Sequence, residues 1–350
     1  RDLGLEGEVR KLPHGKTHGV IFSSPKKDVV QIPFRRDGKR VEGVVCRRMF
    51  FDNLVFGTAK KYAHAIEEFA VTDIIQENGF VTGVKGTDLK SKKAMEFRAK
   101  IVIGADGAQS IVAKKLGLLE QQDKHHCTAL RAYYSGIEGM SDNIELHFID
   151  SVLPGYFWIF PLENGNANVG VGVVTAEMKK KNINIKQAML NAIESDSLLK
   201  DRFRNAKMEG DIKGWTLPFG SIRRKAHGNG FVLIGDAASL IDPFSGEGIG
   251  NAMHSGRLAA RIVGEAIKAN DVSEKFLSEY EDTLWNEIGT ELKNSYNLQR
   301  IGNIKPILNF VIRKAATKKE VQELISGMLS NEEAKKELFS PLFYLKLLLP

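Results

Sequence analysis

A chain of 350 residues, 43% of them hydrophobic and 27% charged, has the composition of a globular protein that can fill a core, and its length suggests about two domains. This excludes a disordered chain, a fibrous repeat and a coiled coil. Lys and Arg number 50 against 43 Asp and Glu, a net charge of +7. That suits nucleic acid, an anionic cofactor, an anionic membrane face or solubility alone, but no zinc-finger, RNA-binding or basic-zipper spacing points to nucleic acid.

In chain order, residues 15–34 alternate apolar and polar and read as a hairpin or edge pair, and Arg48 to Ala65 carries a helical stripe. Residues 66–99 read as a strand meander split at Asn78-Gly79. Ile101-Val102-Ile103 is a short apolar run closed by Gly104, which suits a central parallel strand. Residues 127–175 hold four strand-like runs, Thr128–Ile137, Ile144–Ile149, Tyr156–Pro161 and Ala167–Val174, joined by Gly- and Pro-containing turns, as in an antiparallel sheet. Residues 184–205 read as helix, Trp215–Phe219 as a short strand and Phe231–Ile234 as a second buried strand. From Gly248 onward the pattern is helical, with breaks at Gly302 and Pro306.

The two cysteines, Cys46 and Cys127, are far apart and have no CxxC partner, so no disulfide framework is expected and a reducing compartment is. His125-His126-Cys127 heads a strand, where neighbours point to opposite faces and cannot easily share one ion, so no metal is assigned. The basic runs Lys179-Lys180-Lys181 and Lys318-Lys319, with Lys314 nearby, read as solvated faces. No stretch reaches the ~18–20 apolar residues of a membrane span. The apolar tail 339–350 reads as a packed terminal segment, or as a foot on a membrane.

Two strand–turn units carry the chemistry. Val232-Leu-Ile-Gly235-Asp236 is an apolar strand ending in an acid. A loop with Pro243 follows, then Gly246-Glu247-Gly248-Ile249-Gly250 opens a helix. Free N–H groups at such a helix start make an anion cradle. Three glycines in five positions cost helix stability unless a close ligand needs them. Ile101-Val-Ile-Gly104-Ala-Asp106-Gly107, with Ser110 as a helix cap, repeats the pattern. Together the two units place Asp106 and Asp236 at the carboxyl edge of one parallel sheet, where ligands bind in open α/β folds.

These segments resemble the two internal FAD motifs of the para-hydroxybenzoate-hydroxylase-like flavoproteins, which include aromatic hydroxylases, flavin halogenases and geranylgeranyl reductases. The resemblance implies that Asp236 holds the FAD ribityl chain and that the glycine turn lies beside the flavin. It implies that the Asp106-Gly107 turn borders flavin and pyrophosphate. Arg48-Met-Phe-Phe-Asp52-Asn-Leu54 is similar to the group's helix start, whose arginine, here Arg48, contacts FAD. The implied cofactor residues are therefore Arg48, Asp106, Gly107, Asp236, Pro243, Gly246, Glu247, Gly248, Ile249 and Gly250.

Tyr156-Phe-Trp158-Ile-Phe160-Pro161, eight residues, then Gly170-Val-Gly172, resembles the Tyr-x-Trp-x-Phe-Pro…Gly-x-Gly pattern of geranylgeranyl reductases. At period two, Tyr156, Trp158 and Phe160 share one face of a strand and would wall an apolar chain. The motif also takes in Pro161, Gly170 and Gly172. Halogenases carry Trp-x-Trp-x-Ile-Pro instead, from which Tyr156 and Phe160 depart. The resemblance covers roughly residues 1 to 300 and has departures of its own. Ala113, followed by Lys114, stands where the group has an arginine, and Cys46 is not the group's substrate-loop cysteine.

The group's adenine-binding GxGxxG unit is not found in this sequence. Arg1-Asp-Leu-Gly-Leu resembles the stretch that follows it, so the chain is expected to begin several tens of residues late (the order of a ~30-residue βαβ unit) and to bind FAD poorly alone. The fold expected is α/β with α+β character: a Rossmann-like FAD-binding domain interleaved with an antiparallel substrate domain, and a helical C-terminus. Its segments are expected at 1–47 (strands), 48–122 (FAD), 123–227 (substrate sheet), 228–270 (FAD) and 271–350 (helical). The implied reaction saturates isoprenoid double bonds of a lipid or quinone side chain, with hydride from N5 of reduced flavin and electrons from NAD(P)H or ferredoxin. The implied setting is cytoplasmic, at the inner face of the membrane. No proton donor is assigned, Tyr156 being only a candidate. Alternatives are an aromatic monooxygenase or halogenase, and a non-catalytic lipid-binding protein.

Overall fold

A computed structural model describes residues 3–36 and 38–330; the apolar tail 339–350 lies outside the described residues. The chain forms two compact units. One comprises residues up to His64, Thr128–Trp215 and the chain from Arg300; the other comprises Ala65–Cys127 and Thr216–Gln299. The chain thus passes between units at 64/65, 127/128, 215/216 and 299/300, beside the expected 47/48, 122/123, 227/228 and 270/271.

The first unit is built on a seven-stranded sheet. Its order is Lys207–Pro218, His126–Ser135, Ala167–Val174, Gly155–Pro161, Asn143–His147, Gly19–Ser23, Val29–Pro33. The four predicted strand runs are present, and the predicted hairpin at 15–34 joins the same sheet. Asn143–His147 runs parallel to Gly19–Ser23, so the sheet is mixed rather than purely antiparallel. One face buries Ala132, Tyr134, Phe157, Ile159, Val169 and Val171 with Met189 and Ala192 of the helix Ile185–Ser195.

Charges within this packing are paired. Arg202 grips Glu145 with both terminal nitrogens, at 2.6 and 2.7 Å. His147 Nε2 lies 2.9 Å from the same carboxylate, and its Nδ1 is 2.8 Å from Ser23 Oγ. Burial alone raises the Glu145 pKa, but Arg202 and His147 hold it below the usual carboxylate range. Since His147 and Ser23 face each other across the parallel pair, the network also fixes register, which period-two sheets need.

Three predicted elements change length. The helix predicted over 184–205 is Ile185–Ser195. The helix predicted over 48–65 ends at Ala59; none of its residues is buried, so no packing extends it through Lys60-Lys61. The strand predicted at 215–219 begins at Lys207. Its charged, glycine-containing start is that of an edge strand with one wet face.

The second unit carries the meander Phe69–Glu77, Phe80–Asp88, Ala94–Arg98. It also carries a small sheet in which Val102–Gly104 pairs in parallel with Phe231–Leu233. The parallel pairing was predicted; the central position was not observed. Among the described residues Val102–Gly104 has one strand neighbour, and Ile103 is 43% exposed while Val102 and Gly104 are buried. The helical region beyond Gly248 is not continuous to Gly302. Asn270, in the left-handed region at φ 53°, closes the helix Ile249–Ala269 before Glu274–Gly302 begins.

Candidate functional site

In the second unit, pairing of Gly104 with Leu233 brings the two acidic turns to the same end of one parallel pair, as the sequence predicted. The Asp236 strand is anchored from behind. Tyr280, fully buried on the helix Glu274–Gly302, donates to the Leu233 carbonyl at 2.8 Å. The Gly235 amide donates to Ser255 Oγ at 3.0 Å. After Ala238 the chain turns at Ser239, a non-glycine residue at φ 57°, a costly backbone state that persists only where surroundings impose it.

The loop that follows closes on itself. Asp242 Oδ1 accepts the amides of Phe244 and Ser245, and the Asp242 amide donates to the Glu247 carbonyl at 2.8 Å. Gln299 donates to the Pro243 carbonyl at 2.6 Å, and Asn251 to that of Leu240 at 2.7 Å. Gly248 is where the turn passes Asp236. A Cβ there would stand 3.3 Å from Asp236 Oδ1 and 3.0 Å from Ile241 Cγ1. Glu247 Oε1 accepts the Gly250 amide at 2.6 Å, while Glu247, Ile249 and Gly250 remain exposed at the helix start. A carboxylate beside a side-chain-free turn and a helix N-terminus fits the hydroxyl-bearing, phosphate-linked part of FAD.

Asp106 is exposed, but its carboxylate is engaged. It accepts Ser110 Oγ at 2.6 Å and the Ile111 amide at 2.6 Å, capping the short helix Ile111–Lys115. The surface left for a ligand at this turn is therefore backbone, around Ala105 and Gly107. Arg48, in the first unit, is exposed and pairs with Asp52 at 2.8 Å. Its neighbour Arg47 is the more enclosed, holding Glu163 at 2.7 Å and Glu209 at 3.2 Å. His125 and His126 turn to different partners, Ser221 Oγ and the Gln122 carbonyl.

The aromatic strand of the first unit shows why its motif has this spacing. Phe157 and Ile159 are fully buried in the core, so Tyr156, Trp158 and Phe160 stand half-buried on the opposite face. Trp158 pairs with Gly170 and Tyr156 with Gly172 on the next strand. A Cβ on Gly170 would lie 2.3 Å from Trp158 Cζ2 and 2.3 Å from the Leu130 carbonyl oxygen. Glycine is thus the space into which the indole folds, and Trp158 Nε1 donates to Asn168 Oδ1 at 3.1 Å. At Pro161 another strand crosses closely, its Gly15 Cβ position only 2.4 Å from the Pro161 carbonyl oxygen.

The row continues past the motif. Ring centroids run Phe22 to Phe148 at 6.3 Å, Phe148 to Tyr156 at 6.2 Å, Tyr156 to Trp158 at 6.2 Å and Trp158 to Phe160 at 6.0 Å. Phe22 and Phe148 were not singled out from sequence. The hairpin reading of residues 15–34 places Phe22 on a strand, but only the sheet order brings it to this row.

Comparisons with known proteins agree with this geometry. The model of the geranylgeranyl reductase catalytic domain matches residues 125–209, which include the aromatic strand. A digeranylgeranylglycerophospholipid reductase of Methanocella arvoryzae is 31% identical over 288 residues, covering 80% of this chain and 69% of that protein. One of Methanopyrus kandleri is 30% identical over 322 residues, covering 90% and 80%. Among solved structures, a geranylgeranyl bacteriochlorophyll reductase-like protein of Thermoplasma acidophilum superposes with a TM-score of 0.81 at 24% identity, over 97% of this chain and 86% of that one. A flavin-dependent brominase shares the fold with a TM-score of 0.75 at 23% identity, over 99% and 86%. Motif, fold and relatives together place this chain in the geranylgeranyl reductase family of FAD-dependent oxidoreductases.

Proposed function

We propose that the protein saturates carbon–carbon double bonds of a polyprenyl lipid, as the names of its relatives suggest for them. The observation that carries this reading is the aromatic row backed by Gly170: an extended apolar surface suits a long unsaturated hydrocarbon better than a single aromatic ring. FAD, when bound, supplies the two-electron chemistry. Asp236 would accept hydrogen bonds from the ribityl hydroxyls, and the Gly246–Gly250 turn would give the cofactor close backbone approach. The Ala105–Gly107 backbone would add contacts to the anionic part of the cofactor. Tyr156, Trp158 and Phe160 hold the prenyl chain extended and exclude water from it. The electrons come from a nicotinamide or a ferredoxin, and the lipid is drawn from a membrane at whose inner face the protein docks. No helix among the described residues is long and apolar enough to cross a membrane.

The test is anaerobic incubation of the FAD-loaded, chemically reduced enzyme with a polyprenyl glycerophospholipid, read by product mass. Gain of two hydrogens per double bond without oxygen is the expected result. A product that forms only with oxygen would move the protein to the hydroxylase or halogenase side of the fold.

A further inference from the structure

Tyr133 lies in the strand His126–Ser135, whose Ala132 and Tyr134 point into the core. Arg131 and Tyr133 therefore stand on the other face, the one that carries the aromatic row. Two guanidinium groups stack on the Tyr133 ring, those of Arg47 and Arg131, each 4.3 Å from its centroid. The two arginines differ in what their edges do. Arg47 directs Nε to Glu163 and Nη2 to Glu209. Arg131 has no hydrogen-bonded or ion-paired partner among the described residues, and its guanidinium lies over the Tyr133 ring. Stacking uses the flat face of a guanidinium and leaves the in-plane N–H groups pointing outward. That rigid fork matches the oxygens of a phosphate. Arg131 also sits next to the row it would serve, because the carbonyl of its neighbour Leu130 touches Gly170, over which the Trp158 indole folds.

We propose that Arg131, held flat by Tyr133, binds the phosphate ester of the substrate's head while the aromatic row takes the prenyl chain. This rests on the polyprenyl-lipid reading and adds to it an anionic head as a requirement for tight binding. Glu163 and Glu209 are both ion-paired with Arg47, whereas Arg131 has no carboxylate partner among the described residues and is the guanidinium left to meet an incoming anion.

Calorimetric titration of the FAD-loaded enzyme with geranylgeranyl phosphate, geranylgeraniol and inorganic phosphate tests this. The wild type is expected to bind the prenyl phosphate about tenfold or more tighter than the alcohol, and tighter still than inorganic phosphate. Arg131→Gln should abolish that preference and leave affinity for the alcohol within about twofold. Arg131→Lys, which keeps the charge and loses the fork, should recover only part of it. Equal weakening of both prenyl ligands in Arg131→Gln, or an unchanged preference, would overturn the proposal. So would inorganic phosphate binding as tightly as the prenyl phosphate, which would mark a free-phosphate site. If the wild type shows the Arg131-dependent preference yet saturates no alkene, the head-group site stands and the reductase reading fails.

Discussion

At Gly170 one methyl group would meet both the Leu130 carbonyl oxygen and the Trp158 ring at 2.3 Å, and backbone cannot yield as a flexible side chain can. Gly170→Ala is expected to cost about 1–3 kcal/mol of stability by overpacking and, by displacing the indole, to weaken polyprenyl binding. Thermal melting and ligand titration of the variant check this. Gly57→Ala is the control: it lies on an exposed helix with nothing within 4 Å of the added carbon, and should be neutral or stabilising by up to about 1 kcal/mol. At this scale the sequence was readable where residues are close in the chain. Tyr156, Trp158 and Phe160 share a face because strands have period two, and Asp236 ends a strand before a glycine turn. Phe22, Phe148, Arg131 and Tyr133 were not legible, because a fixed sheet order between strands far apart in the chain puts them beside the motif. Arg48 was singled out on motif grounds; only the fold shows that its neighbour Arg47 reaches Glu163, Glu209 and Tyr133.

The element that holds the Asp236 strand in place is the helix Glu274–Gly302. Beyond Tyr280, its Glu281 accepts from Arg223 Nε at 2.7 Å, and its Oε2 accepts the Ala226 amide and lies against His227 Nδ1, each at 2.9 Å. Burial opposes the charge, but these partners, His227 foremost, hold the Glu281 carboxyl at about 2. A carboxyl depressed in the folded state contributes stability that is full above its unfolded value, roughly 4.3, and is lost as pH falls through the folded value. Acid unfolding of the wild type should therefore steepen between roughly pH 4.3 and about 2. Glu281→Gln should melt lower at neutral pH and show a shallower dependence in that window, as pH-resolved thermal denaturation would record. Equal slopes for the two proteins would remove Glu281 as the source. Among the elements, the strands ending at Gly104 and Leu233 were legible from short apolar runs closed by or just before glycine. The start of the strand Lys207–Pro218 was not, because an edge strand with charges on its wet face lacks the apolar density that marks an inner one.

Across the whole molecule, each of the two units is assembled from separated stretches of chain. Sequence motifs gave the interleaving, since FAD-type turns flank the aromatic strand on both sides. They did not show that the hairpin near residue 20 completes the sheet of residues 126–218, a non-local parallel pairing set by register with Asn143–His147. The central claim is that this interleaved chain couples a flavin site to reduction of a prenyl chain. Its most direct test is a single turnover under strict anaerobiosis. The reduced, FAD-loaded enzyme is mixed with a polyprenyl glycerophospholipid while flavin absorbance and product mass are followed together. The account predicts that oxidised flavin returns on mixing, with one double bond saturated per flavin oxidised. A flavin that stays reduced until oxygen is admitted, with the lipid's double bonds intact, would contradict it.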